Sequence, residues 1–222
     1  MTWEAFPELI EPIAGMVTAV AAAIAAVIAW RGLRTWQDEM LGRRRAELAE
    51  EILADFYQVR DVFRWVRSPA GFAEEAAERP RDKDENEDFS RQLDSYFVPL
   101  ARLHADRALL SALHAKQYRF RAVFGEKVQA PFQELRTIEA EIVASARMLT
   151  RLAKADARKA KGFGTVRELS AEKLQEDLKR REQHEERIWD TGEEGDEIVR
   201  RLDSLVSDIE AVCRPAIEAR RT

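Results

Sequence analysis

Residues Pro12 to Trp30, PIAGMVTAVAAAIAAVIAW, run for 19 positions without a charged side chain, in a chain of which 35% of the residues are charged. At about 1.5 Å per residue, a helix of this stretch reaches roughly the 30 Å hydrocarbon thickness of a bilayer. A soluble core helix keeps a polar stripe toward water, and here Thr18 is the sole polar side chain between the two ends. A cleaved export signal needs a basic leading region, whereas Glu4, Glu8 and Glu11 precede this stretch. The pattern predicts a transmembrane helix over 12–30, with Trp3 and Phe6 on one side and Trp30 and Trp36 on the other as amphipathic rings at the headgroups.

The flanks orient the span. Arg31, Arg34, Arg43, Arg44 and Arg45 follow it and are opposed only by Asp38 and Glu39. Short flanks rich in arginine stay on the cytoplasmic side, so residues 1–11 are expected outside, 31–45 form a basic juxtamembrane segment, and 46–222 lie in the cytoplasm. The five arginines are candidate contacts for lipid headgroups. Residues 46–222 carry 31 basic and 36 acidic side chains, a balance that argues against a surface for nucleic-acid phosphates. A single cysteine, Cys213, has no partner for an intramolecular disulfide.

Within the span Ile13, Val17, Val20, Ile24 and Val27 recur at 4-3-4-3 spacing, and Gly15, Ala19, Ala22, Ala26 and Ala29 repeat the same spacing two residues on. Two residues are about 200° of helix, so a branched face opposes a small one. Helices in lipid approach closely through small residues, which makes the Gly15/Ala19/Ala22/Ala26/Ala29 face the candidate for self-association.

The remainder reads as all-α. Gly and Pro are sparse, at nine and seven, while helix-forming Ala, Leu, Glu and Arg abound. Leu48, Ile52, Phe56, Val59, Phe63 and Val66 mark one buried helical face, ended by Ser68-Pro69. Residues 70–88 are dense in charge and predict a mobile connector. A second apolar pattern runs from Phe89 through Leu93, Leu100, Leu103 and Leu110 to Leu113, with a kink or break expected at Pro99 and a turn at Gly125. A third carries Val128, Phe132, Leu135, Ile138, Ile142, Leu149 and Leu152. Gly162-Phe163-Gly164 is read as a helix terminator, and Ser170 as the N-cap of a sparsely apolar helix with Leu174, Leu178, Ile188 and Trp189. In the last helix Ile198, Leu202, Leu205, Ile209 and Val212 form a heptad seam, which at little more than two heptads is expected to pack within the chain. The predicted fold is an N-terminal transmembrane helix continuing into a cytoplasmic antiparallel helical bundle with coiled-coil-like packing.

No chemistry surfaces in the motifs. His104, His114 and His184 lack metal-ligand spacing, no Glu-x-x-His occurs, and the Gly-x-Gly has neither a preceding strand nor a following Gly-Lys-Ser/Thr. Neighbouring carboxylates such as Glu50-Glu51, Glu74-Glu75, Glu185-Glu186 and Glu193-Glu194 diverge around a helix and are read as solvated faces. No catalytic residue, cofactor or metal is expected.

One segment carries a resemblance. Gly32-Leu33, Thr35-Trp36, Gly42, Glu47-Leu48-Ala49, Tyr57, Val59-Arg60-Asp61 and Val66-Arg67 with Pro69 occur in a block, residues 32–69, that resembles one following the N-terminal span in short bacterial membrane proteins of unknown function. The resemblance covers under a fifth of the chain; it implies a bacterial inner membrane and lends no activity. Arg60, Asp61 and Arg67 are expected to make structural ion pairs, with a partner-binding patch as the alternative. Taken together, these features predict a membrane-anchored, non-enzymatic scaffold or interaction protein that contacts lipid, its own copies and an unidentified protein. The alternative is an oligomeric pore or membrane-disrupting assembly, which the uncharged span, with Thr18 alone to line a wet channel, disfavours.

Overall fold

The structure, a computed structural model, describes residues 6–71, 73–83, 85–160, 171–190, 192 and 195–219; within these, side chains are described at Met16 and, Ala73 and Ala171 apart, from Ala19 onward. Trp3, Glu4, Gly162-Phe163-Gly164, Ser170 and Glu193-Glu194 therefore lie outside the described residues, and the side-chain surroundings of Phe6, Glu8, Glu11, Ile13, Gly15, Val17 and Thr18 lie outside them as well. All regular structure among the described residues is helical: α1 Phe6–Val66, α2 Glu87–Ala105, α3 Arg107–Phe124, α4 Gln129–Ala160, α5 Ala171–Ile188 and α6 Glu197–Glu218, with short 3-10 turns at Ala73–Ala76 and Glu126–Val128.

α1 is one unbroken helix of 61 residues, about 90 Å long. Its second half is the axis of the core. Leu48, Ile52, Phe56, Val59, Phe63 and Val66 are buried, as their spacing predicts, and α6 and α3 lie along them. α6 starts beside Arg67 and returns toward residue 45. Ile198, Leu202, Leu205 and Ile209 are buried, and Val212 is half-buried near its end. α3 also ends near residue 45, where Phe124 meets Arg45. α4 spans both ends of the core: Phe132 makes an edge-on contact with Phe56 at 5.0 Å, while its later turns extend past α1 to pack with α2 and α5.

Local chemistry sets the boundaries. Asn86 caps α2 by accepting from the Phe89 N–H at 2.8 Å, and Asp196 caps α6 by accepting from the Val199 N–H at 3.0 Å. α3 stops at Gly125, whose φ of 88° lies in the left-handed region that costs glycine little; its N–H bonds to the Arg121 carbonyl at 2.8 Å. Of the kink or break expected at Pro99, the break does not occur: α2 continues through it. Asp106 is the single residue between α2 and α3. Just before that boundary Arg102, in the last turn of α2, is anchored on the loop after α1.

The described residues of 70–88, expected from composition to form a mobile connector, make side-chain bonds to α2. Arg79 is 8% exposed and donates to Glu85 at 2.7 and 3.0 Å, to Asp94 at 2.6 Å and to Ser90 Oγ at 2.9 Å. Arg102 donates to Glu75 and to the Trp65, Ser68 and Ala70 carbonyls, and stacks on the Trp65 ring at 4.2 Å. The same charge that makes the stretch look solvated ties it to α2. Hydrogen bonds from Arg79 and from the Asp82 N–H hold the Glu85 carboxyl down at about 2, against an ordinary 4.5. A depressed folded value means that the contribution of Glu85 is complete above about pH 4.5 and lost as pH falls toward 2. Glu85→Gln is accordingly expected to lower stability at neutral pH, and urea titrations should show the gap from the parent chain closing across that window.

Candidate membrane and interaction surface

From Ala19 to Arg45 every side chain of α1 is exposed except Met40, which is half-buried. Val20, Ile24, Val27, Ile28, Trp30, Leu33, Trp36 and Leu41 are each more than half exposed on this projecting rod. Among the described residues it belongs to the one helix long and apolar enough to cross a membrane, and none of its most apolar window is buried within the chain. Monomeric soluble proteins rarely expose a contiguous apolar patch beyond a few hundred Å². A bilayer would satisfy such a surface without any further protein.

The candidate headgroup arginines divide. Arg31, Arg34 and Arg44 are exposed, with the Arg34 guanidinium 4.5 Å over the Trp30 ring, a pairing suited to an interfacial layer that solvates both ring and charge. Arg43 pairs with Glu47 one turn on at 3.0 Å. Arg45 turns back onto Phe124 at 5.3 Å, so part of its charge caps the core end. The candidate span face, Ala19, Ala22, Ala26 and Ala29, is exposed along its described length. Ile198, Leu202, Leu205 and Ile209 of the helix seam are consumed by the core.

Where the rod meets the folded region, Asp38, Glu39, Gly42, Arg43 and Arg45 of α1 face Phe124, Val212, Pro215, Ala216 and Ala219 across a groove of about 930 Å³. Its floor is apolar and its rim carries both signs of charge. Of the block at 32–69, Leu33, Thr35 and Trp36 are exposed on the rod, whereas the later residues serve the fold: the Tyr57 hydroxyl donates to Glu210, Arg60 stacks on Tyr57 at 5.6 Å and lies 3.5 Å from Asp61, and Arg67 is sealed at the far end.

Arg67 is 1% exposed and uses all three nitrogens. Nε donates to the Arg187 carbonyl at 3.0 Å, Nη2 to the Glu186 and Trp189 carbonyls at 2.7 and 3.0 Å, and Nη1 and Nη2 to the two Asp196 oxygens at 2.9 and 2.6 Å. One cation thus satisfies carbonyls at the C-terminal end of α5, a favourable place for its charge, and neutralises the carboxylate that caps the N-terminus of α6. Asp196 is held below the usual carboxylate range by hydrogen bonds from Arg67 and the Val199 N–H, which outweigh the opposing effect of burial. Burial, with Arg187 and Arg180 nearby, pushes His184 below its ordinary value, and the ring lies 3.1 Å from the buried Ser145 hydroxyl. Burial alone pushes the Cys213 thiol up to about 12.

The buried Arg79 and Arg102 are not singled out by sequence reasoning. Each sits off the apolar register, Arg79 among other charges and Arg102 in an apolar stretch, and the carboxylates they bind, with the loop carbonyls that Arg102 binds, lie 6 to 37 residues away. Among the described residues no group of three His, Cys, Asp or Glu side chains gathers as for a metal ion. No protein-family model, curated protein or solved structure matches the chain.

Proposed function

We propose that the chain is a single-span protein of a bacterial inner membrane, N-terminus outside, whose cytoplasmic helices form an antiparallel bundle with coiled-coil-like packing and act as a membrane-held scaffold for its own copies or a protein partner. The observation that carries the reading is the wholly exposed apolar rod of α1, rigidly continuous with the helix at the centre of the core. The arginines at 31–45 support the orientation. The likeness of residues 32–69 to the block in short bacterial membrane proteins supports the location. A binding rather than catalytic role is favoured because the most strongly held polar clusters, around Arg67, Arg79 and Arg102, spend their hydrogen bonds inside the fold.

The separation is also physical. Between Trp30 and Asp38, the first rod residue that faces the folded region across the groove, the rod spans about 12 Å, against a headgroup layer of roughly 5–7 Å, so the folded region stands just clear of the bilayer surface. Flotation with liposomes at alkaline pH tests the anchor: the full chain is expected to float, and a chain lacking residues 1–45 to remain in the dense fraction. In inside-out membrane vesicles, added protease should reach residues beyond 45; protection there with digestion in right-side-out vesicles would reverse the orientation.

A further inference from the structure

The small-residue face of the span does not stop at the membrane edge. Continuing its spacing, Ala19, Ala22, Ala26 and Ala29 are followed by Leu33, Trp36 and Met40, an unbroken 4-3-4-3-4-3-4 series when counted from Gly15. Leu33 and Trp36 are 53% and 56% exposed, on a helix that runs without interruption from one medium to the other. This stripe lies roughly 120° around α1 from the face that packs the core, so the folded region leaves Leu33 and Trp36 open and covers only part of Met40.

Resting on the membrane-anchored, self-associating reading above, we propose that two copies pair in parallel and in register along this seam, with Glu39 of each copy bonded to Arg44 of the other. Four observations carry the choice of a second copy as occupant. A period of 3.5 residues, sustained over more than three heptads, keeps a seam facing a partner of the same period in a left-handed crossing. The seam changes composition where the driving force changes. Small residues line it inside the span, where close backbone approach drives association, and Leu33, Trp36 and Met40 line it beyond Arg31, where burial from water drives it. Anchoring in one membrane forces copies to stand parallel at one depth, so Leu33 meets Leu33 and Trp36 meets Trp36.

The fourth observation is charge. In this register Glu39 falls on the flank preceding Met40 and Arg44 on the flank following Arg43, and a parallel pair brings such positions, five residues apart, together across the seam. The signs are opposite, and symmetry forms the bond twice. Glu39 stands on the exposed edge of the groove against α6, and among the described residues neither it nor Arg44 makes an ion pair within its own chain, while the adjacent Arg43 and Glu47 already satisfy each other. Beyond that pair the stripe turns polar, with Glu47 and Glu50 exposed, which ends the seam where the folded regions begin.

The test uses the full chain in liposomes, with one cysteine introduced at a time and an oxidant added. Cys213, buried with its thiol shifted up, stays silent, and the parent chain reports that baseline. Leu33→Cys, Trp36→Cys and Met40→Cys are expected to crosslink several-fold more than Thr35→Cys and Asp38→Cys, which face away from the seam. Glu39→Arg and Arg44→Glu should each weaken dimerisation by about fivefold, and the double exchange should restore it. A dimer whose yields are even around the helix, or highest at Thr35 and Asp38, would overturn the seam and leave self-association standing. Uniformly absent crosslinks and a monomeric mass in a chain that still floats would overturn both and leave the anchor. A chain that does not float would remove the anchor and the seam with it.

Discussion

Replacing Arg67 by alanine is expected to lower the unfolding free energy by about 3–5 kcal/mol, a large share of the 5–15 kcal/mol typical of a domain. The size follows from what is left behind. Three carbonyls from the end of α5 lose their donor together, and the Asp196 carboxylate keeps its sheltered place without its cation. Arg67→Lys is expected to recover little, because an ammonium is a point charge with three donors and cannot fill five directions of a planar fork. Arg67→Met combined with Asp196→Asn should lose less than Arg67→Ala alone, since no carboxylate then remains buried without a counterion. Urea titration at neutral pH reads the effect as a lower midpoint at nearly constant slope. A loss under 1 kcal/mol for Arg67→Ala would mean that water replaces the guanidinium and that the α5–α6 junction is looser than its hydrogen bonds describe.

Removing the rod should have the largest effect on location and little on folding. Ile13, Val17, Val20, Ile24, Val27 and Ile28 contribute roughly 2–3.5 kcal/mol to insertion, and the alanines between them little. A single arginine at the centre of a span costs about 2.5–3.5 kcal/mol, so Ala21→Arg alone should offset that gain and leave much of the chain in the soluble fraction. A chain beginning at Ala46 should be fully soluble, with helical circular dichroism and cooperative urea unfolding retained, because the buried face of α1 starts at Ala46 and Leu48 and its partners on α3, α4 and α6 are all downstream. Loss of cooperative unfolding in that chain would show that the rod is part of the core.

The periodic features of the fold were legible. Burial on a helix repeats every three or four residues, so the faces at 48–66, 128–149 and 198–209 could be read from neighbouring positions alone. The site was partly legible: the span face and the arginines at 31–45 follow from composition, but the return of Arg45 onto Phe124 depends on α3 ending beside α1. The ion pairs that join described residues of 70–88 to α2 left no local signal, because Arg79 meets Asp94 and Arg102 meets Glu75 only once α2 is in place. A charged stretch looks solvated until its counterions are placed. Pro99 was legible only as a kink or a break, and local rules do not say which; the helix runs through it, and the boundary between α2 and α3 falls at Asp106, beside Arg102 and its long-range bonds to the loop after Val66.

The central claim is that the exposed rod of α1 lies in a bilayer and holds the helical core away from it. The most direct measurement places nitroxide labels one at a time at Ala21, Ala23, Thr35 and Asp38 of the full chain in liposomes, and compares collision with molecular oxygen and with a water-soluble paramagnetic complex. Membrane insertion predicts oxygen-dominated collision at Ala21 and Ala23, a crossover near Arg31, and free access of the water-soluble complex at Thr35 and Asp38. Equal access of the water-soluble complex at all four positions, or shielding of Ala21 and Ala23 from both reagents as in a protein core, would contradict it.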